Sequence, residues 1–345
     1  MNLHRMKIQE QLAGNRVSLH ERIALSTPFS LQFSPSSYCN FKCCYCWQSL
    51  EDDLLKQKFK KQFLKYGLFK SAVDGCNAFK EPLQMILFAG LGEPMLHPEI
   101  CKMIAYAKQS GVAKRVDLLT NASLLTKETS NLLVDAGLDR LRISIQGLTT
   151  EKYKNICGSD VSFEKIVDNI SYFYSRRIST SIYIKIIDCA LDENDESKFK
   201  SVFSSISDEC AVEYLSPFVR EIDFGKIQNG FRGTFRNGGV PGGSSACPLA
   251  FYMVAVQADG SVTPWCTGDI AMTYGNVAEN SIPEIWHSKI VKDFWRTQLT
   301  DRSKNPVCAQ CQVPLFNVRQ GDCLNGHEQA ILSRLELLDK SSQLR

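Results

Sequence analysis

Fourteen cysteines stand in this chain of 345 residues, and two groups of them have spacings that could hold metal. The first is Cys39, Cys43 and Cys46, in the pattern C-x3-C-x2-C, with Cys44 and Tyr45 between the second and third. Three thiolates from one short loop suit an iron–sulfur cubane, whose corners can be ligated in threes, better than a structural zinc, which takes four protein ligands. The fourth iron would then be open to a small ligand. The second group is Cys247, Cys266, Cys308 and Cys311, the last two as C-x2-C. Four thiols form a complete tetrahedral set, whose natural reading is zinc.

The elements that must position the first group can be read around it. Phe29 to Phe33 reads as a strand, and Ser34-Pro35-Ser36-Ser37 marks its exit into the cysteine loop. Further strands are expected over Leu83–Ala89, Arg115–Thr120, Asp139–Gln146, Thr180–Asp188 and Ala211–Phe218. Helical patterns begin near Leu55, Pro98, Lys127, Phe163 and Asp195. Strict alternation of strand and helix implies parallel strands joined by right-handed crossovers, and six such units fall short of the eight in a closed barrel. The expected fold is therefore α/β, a partial (β/α)6 barrel, with a small C-terminal α+β domain after it.

The working loops of such a barrel lie at the carboxyl ends of its strands. The loop after the second strand reads Ala89-Gly90-Leu91-Gly92-Glu93-Pro94. Gly90 and Gly92 let backbone approach closely, and Glu93 offers a carboxylate that could meet an ammonium. The third strand ends at Asn121 and the fourth at Ser144-Ile145-Gln146. From the residues alone, Asn121 and Ser144 read as turn formers.

From Gly230 to Ser245 the chain is glycine-rich and without apolar period, which marks a linker. The module beyond it has a hairpin signal, Asp259-Gly260, between Cys247 and Cys266. Expected boundaries are a helical lead-in over 1–28, a core over 29–228, a second domain over 229–315 and a helical tail over 316–345. In the tail, Ala330, Ile331, Leu335 and Leu338 recur at helical spacing.

The first cysteine motif, with Tyr45 before its third cysteine and the glycine-glutamate loop one βα unit later, resembles the radical SAM superfamily. That resemblance implies a [4Fe-4S] cluster on Cys39, Cys43 and Cys46 whose open iron binds S-adenosylmethionine, and reductive cleavage of the latter to a 5′-deoxyadenosyl radical. It also implies cofactor contacts from Tyr45, Gly90, Gly92, Glu93, Asn121 and Ser144, with Glu93 at the methionine amino group. Two departures stand out: many relatives carry aspartate where Gln146 stands, and several carry a basic residue near Cys157. The group that pairs with the cofactor carboxylate is thus open among Lys152, Lys154 and Lys185. The second set, in the order Cys-Pro, Asp-Gly-x-Val-x-Pro-x-Cys, Gly-Asn, Glu-Ile-Trp and Cys-x2-Cys, is similar to the SPASM/twitch extension. This implies one auxiliary [4Fe-4S] cluster on Cys247, Cys266, Cys308 and Cys311. Cys323 has three readings: a core thiol, a substitute ligand, or a hydrogen-atom donor as in radical SAM epimerases. Cys44, Cys76, Cys101, Cys189 and Cys210 read as buried hydrophobes.

Composition narrows the class. Hydrophobic content of 44% and charged content of 22% are ordinary for a globular protein, and a net charge of +3 gives no nucleic-acid footprint. No stretch reaches the about 18 apolar residues of a membrane span, and no signal-type segment is seen, so a reducing cytoplasm is expected. Lys56, Lys58, Lys60, Lys61, Lys65 and Lys70 lie on an expected helix carrying Leu55, Phe59, Phe63 and Tyr66. They are a solvated face or a docking patch for a flavodoxin- or ferredoxin-type electron donor. The chemistry expected is oxidation or epimerisation of a hydroxylated carbohydrate or aminocyclitol. The alternatives are ribosomal-peptide maturation by epimerisation or cross-linking and, from another class, a non-catalytic zinc or iron–sulfur protein.

Overall fold

The computed structural model describes residues 17–239, 242–266 and 269–343. The first sixteen residues of the expected lead-in lie outside the described residues. The chain then runs α1 (Leu19–Arg22), β1 (Ser30–Phe33), α2 (Asp52–Lys58), α3 (Tyr66–Gly75), β2 (Met85–Phe88), α4 (Ile100–Ser110), β3 (Val116–Thr120), α5 (Lys127–Asp135) and β4 (Arg140–Ile145). It continues through α6 (Thr150–Cys157), α7 (Phe163–Arg176), β5 (Ser181–Ile187), α8 (Asp195–Phe203) and β6 (Glu209–Glu213). After the glycine-rich stretch come β7 (Met253–Val256), β8 (Ser261–Pro264), β9 (Gly275–Asn276), α9 (Ile282–Trp286), α10 (Lys289–Asp301), α11 (Pro306–Gln310), α12 (Val313–Phe316) and α13 (Glu328–Gln343).

Strands form at all six expected places and pair in parallel in the order β6-β5-β4-β3-β2-β1, but β6 starts at Glu209 and stops at Glu213, so Tyr214–Phe218 of the expected Ala211–Phe218 lies outside it. Stepwise order with right-handed crossovers puts every connecting helix on one face of the sheet, leaving the other face concave. The side chains divide accordingly. On β4, Leu141, Ile143 and Ile145 are buried against the helices, while Arg140, Arg142 and Ser144 alternate onto the concave face. On β1, Leu31 and Phe33 face the helices, where Phe33 packs on Phe69 of α3 at 4.9 Å between ring centroids.

The second module is joined to this sheet. β7 pairs in parallel with β1, Ser30 opposite Met253, and β8 and β9 extend the sheet as antiparallel strands. The Asp-Gly turn forms as expected, with Gly260 at φ 85°. Its helices share the main core: Trp286 and Trp295 lie 4.9 Å apart edge to face, and the Trp295 indole donates to the Ala250 carbonyl at 2.8 Å. In α13, Ile331 and Leu335 turn inward, while Leu338 is exposed.

One expected helix is two. The pattern Leu55, Phe59, Phe63, Tyr66 predicts a single helix, but α2 stops at Lys58 and Phe59 is extended, at φ −161° and ψ 153°. The segment between α2 and α3 is held straight by the cysteine loop. Ser37 donates from its backbone to Gln62 O at 3.0 Å and from its hydroxyl to Lys60 O at 3.0 Å, while Leu64 donates to Pro35 O at 2.9 Å. Long-range backbone bonds outweigh a helical pattern here. Pro98 sits in the turn ahead of α4 rather than in its first turn. No helix among the described residues is long and apolar enough to cross a membrane.

Candidate active site

Cys39, Cys43 and Cys46 lie on the loop leaving the carboxyl end of β1. The end of α6 supports it: Lys42 and Cys44 donate their backbone N–H groups to the carbonyls of Cys157 and Ile156, at 2.9 and 2.8 Å. Burial raises the pKa of all three thiols, Cys39 to about 12, and each thiolate would repel the others. A cationic cluster is what would offset that cost. Tyr45 is buried, and its hydroxyl donates to Gln146 Oε1, so the departure from aspartate keeps an acceptor for this phenol. The Cys44 and Cys189 thiols are hydrogen-bonded to each other, and Cys157 donates to Tyr153 O.

The glycine-glutamate loop abuts the cysteine loop. A Cβ on Gly92 would stand 2.2 Å from Tyr38 O and 2.6 Å from Ser36 O, and one on Gly90, at φ 133°, 2.1 Å from Ser34 Oγ. Gly92 is thus where two active-site loops touch backbone to backbone. Gly92→Ala should cost about 1–3 kcal/mol, read as a lowered melting temperature. Gly67→Ala on α3, where a new Cβ meets nothing within 4 Å, should be neutral or slightly stabilising. Glu93 is 3% exposed, and burial raises its pKa. Its carboxylate accepts from Met95 N at 3.0 Å, Thr120 Oγ1 at 2.6 Å and Asn121 N at 2.8 Å. With about four lone-pair sites, it keeps room for one more donor.

Asn121 is a hub rather than a free contact. Its amide donates to Asn40 Oδ1 at 3.0 Å and accepts from Ser123 Oγ at 2.6 Å, tying the cysteine loop to the end of β3. Ser144 lies on the concave face with no side-chain partner among the described residues. The lysines considered for the cofactor carboxylate are all engaged: Lys152 with Asp192 and Lys185 with Glu213 at 2.6 Å, Lys154 with Asp160 at 3.2 Å. Cys323 contacts Gly243 O at 3.7 Å, and its neighbour Asp322 borders a cavity with Phe29, Gln84 and Arg115, at the amino ends of the strands. None of its side-chain contacts reaches the cysteine loop.

The second cysteine set converges. Cys247, Cys266, Cys308 and Cys311 wall one cavity with Leu249, Pro264 and Phe294, and Asp269 and Arg302 also line it. Burial pushes Cys247 up to about 12 and raises the other three. No three His, Cys, Asp or Glu among the described residues sit close enough to hold one ion. A tetrahedral zinc needs sulfurs about 3.8 Å apart from its Zn–S length, whereas a cubane holds its thiolates farther out. The Tyr274 hydroxyl is buried without a partner beside Cys247, Cys266 and Cys308, an orphaned donor that a cluster sulfide would satisfy. Gln298 of α10 clasps the set, accepting from Cys247 N at 3.3 Å and donating to Cys308 Sγ at 3.4 Å. Neither Tyr274 nor Gln298 could be picked from the sequence, since each joins the site only through the fold.

Residues 33–198 match the Radical SAM superfamily, and residues 247–312 match an iron–sulfur cluster-binding domain, SPASM. The chain belongs to the radical SAM superfamily. A [4Fe-4S] cluster and S-adenosylmethionine are accordingly cofactors of this radical SAM protein, with auxiliary iron–sulfur in its SPASM domain. An uncharacterised protein of Methanocaldococcus jannaschii is 30% identical, over 51% of this chain and 54% of its own. The chain therefore spans about half of that relative. The tungsten-containing aldehyde ferredoxin oxidoreductase cofactor-modifying protein of Pyrococcus furiosus is 26% identical over 81% of this chain and 85% of its own. Among solved structures, BtrN in complex with AdoMet and 2-DOIA aligns over 85% of this chain and 97% of its own, with 19% identity and a TM-score of 0.53. Streptococcus suis SuiB bound to its precursor peptide SuiA aligns over 86% and 72%, with 16% identity and a TM-score of 0.61. These likenesses concern the fold.

Proposed function

We propose that this radical SAM protein is a cytoplasmic oxidoreductase that removes hydrogen from a C–H bond of a hydroxylated carbohydrate or aminocyclitol, converting an alcohol to a ketone. Epimerisation at the same carbon is the variant within this reading. The bound cluster and S-adenosylmethionine supply the hydrogen-abstracting step. In this reading Cys39, Cys43 and Cys46 hold the first cluster, Glu93 takes the methionine ammonium with its remaining acceptor site, and Gly90 and Gly92 admit the backbone approach. Tyr45, Asn121 and Ser144 border the cofactor, Tyr45 and Asn121 by fixing the two loops and Ser144 by offering its hydroxyl.

Oxidation is supported above all by the closure of the second thiol set. With Cys247, Cys266, Cys308 and Cys311 around one cavity, every corner of an auxiliary cluster can be taken by protein, which suits accepting an electron rather than binding substrate. An alcohol becoming a ketone gives up one hydrogen atom, one proton and one electron, and a cluster held by Cys247, Cys266, Cys308 and Cys311 would supply the acceptor for that electron. Lys60, Lys61 and Lys65 are exposed and suit a flavodoxin- or ferredoxin-type donor. Lys58, by contrast, is bonded to Glu221 at 2.5 Å and to Asp269 at 2.8 Å. A second reading, maturation of a ribosomal peptide, is supported by the likeness to SuiB with its peptide.

Product mass decides. Anaerobic turnover with S-adenosylmethionine and reductant should give 5′-deoxyadenosine and a product lighter by two hydrogens. Uptake of one solvent deuterium without other change points to epimerisation, and turnover of peptides alone removes the small-molecule reading.

A further inference from the structure

The concave face of this barrel is charged. Arg140, Arg142 and Ser144 form one row along β4, and Gln146 follows just past the strand's end, where Tyr45 of the cysteine loop meets it. Next to this row on β5, Tyr183 is opposite Arg142 and Lys185 opposite Ser144. Three carboxylates share this face, and each is already engaged. Glu209 pairs with Arg140 at 2.8 Å, and Asp117 accepts from Arg115 at 2.7 and 3.2 Å. Glu213 Oε2 takes both Lys185 at 2.6 Å and Arg236 at 2.7 Å. Among the described residues, Arg115, Arg140, Arg142, Lys185 and Arg236 thus stand against three carboxylates, an excess of two positive charges.

Arg142 is the cation left over. Among the described residues its guanidinium has no hydrogen-bonded or ion-paired partner, and its one ring contact is with Tyr183, at 5.9 Å to the centroid. Burial lowers its pKa, and Asp117 and Glu213 act on it electrostatically without bonding it. A guanidinium carries five donors in a planar fork, and on this half-buried side chain all five are left to water or to a ligand. Carboxylate and phosphate groups satisfy that fork bidentately. Arg142 also lies two positions below Ser144 on the strand, a rise of about 7 Å. This distance separates an anchor from the reacting end of a small molecule held beneath the cofactor.

We infer that the barrel interior is an oxyanion-binding site in which Arg142 takes a carboxylate or phosphate group of the substrate, with Lys185 and Arg236 supplying the surrounding positive field. The inference rests on the reading that substrate enters the barrel, and it narrows the hydroxylated substrate to one that carries an acidic group. The acidic group is the anchor and the hydroxyl-bearing carbon is the end presented toward Ser144 and the cysteine loop.

The test does not depend on turnover. The cluster-loaded protein is titrated calorimetrically with inorganic phosphate and with malonate at constant ionic strength, as wild type and as Arg142→Gln. Arginine-selective labelling of wild type by phenylglyoxal is read in parallel by peptide mass spectrometry. The expected result is saturable binding of at least one probe, weakened tenfold or more in Arg142→Gln, with S-adenosylmethionine affinity unchanged. That probe, but not chloride, should protect Arg142 from labelling in wild type. Phosphate preferred over malonate would mark a phosphorylated substrate, and the reverse a carboxylate. Absence of binding and protection for both probes overturns the inference. So does protection of Arg142 by S-adenosylmethionine alone, which would give this guanidinium to the cofactor carboxylate. The labelling arm needs no variant, so a misfolded Arg142→Gln would not blunt the test. Anion binding without any oxidised product would count against the proposed reaction and leave this site standing.

Discussion

Cys43→Ala should abolish 5′-deoxyadenosine formation and lower the iron content from about eight to about four per chain, counting two cubanes. Cys43 is the middle of the three thiols, and the loop that carries it is held independently of any cluster by the carbonyls of Ile156 and Cys157. The fold should therefore survive, with circular dichroism and gel filtration unchanged. Without that cluster the rate should fall to background, because in the proposed reading the first cluster supplies the reductive step. Cys308→Ala should also remove about four irons, but from the other site, and should leave some uncoupled 5′-deoxyadenosine formation. Loss of all eight irons in either variant would show that the two sets do not assemble separately. Zinc recovered in place of the second four irons would remove the auxiliary-cluster proposal.

Glu213→Gln should be the most destabilising single change in the barrel wall. Burial alone would raise the Glu213 pKa, but Arg236 and Lys185 outweigh it and hold the carboxyl far below its ordinary range. Removing that charge leaves two cations uncompensated: Lys185 is 7% exposed and Arg236 29%. Breaking a buried pair from one side costs about 3–5 kcal/mol, a large share of the stability of a domain. Denaturant unfolding should show it as a lowered midpoint. The pH dependence gives a second check. Since the folded pKa lies below the unfolded value of about 4.3, the stabilisation is fully present above that value. It is lost as pH falls below it, and the variant should lose less stability on acidification than wild type. Lys185 moves the other way: burial lowers its pKa to about 8 despite the Glu213 contact. Equal acid sensitivity in both proteins would sink this account of Glu213.

The six βα strands were legible because each is an apolar run of strand length with a helical pattern behind it, and the two cysteine sets because ligand spacing is local. What could not be read has a common cause. The break between α2 and α3 is imposed by Pro35 and Ser37, about 25 residues upstream of the segment they hold. The pairing of β7 with β1, the clasp of Gln298 on Cys247 and Cys308, and the meeting of Arg236 with Glu213 all join distant parts of the chain. Arg142 could be placed on a strand by alternation. That its neighbours' carboxylates are all taken is a property of the assembled sheet. Cys323, with its three readings, contacts Gly243 O, another long-range contact that no local spacing announces.

The register of Ser30 against Met253 also bears on how the chain is made. Both neighbours of β1 in the finished sheet are synthesised after it, and the second emerges roughly 10 to 45 seconds later at ordinary translation speeds. Until then one side of β1 presents unpaired N–H and C=O groups, an open template for pairing with another chain. The SPASM domain therefore covers an edge of the barrel as well as carrying iron–sulfur, and a chain halted before residue 253 is expected to aggregate even though all six βα units are present.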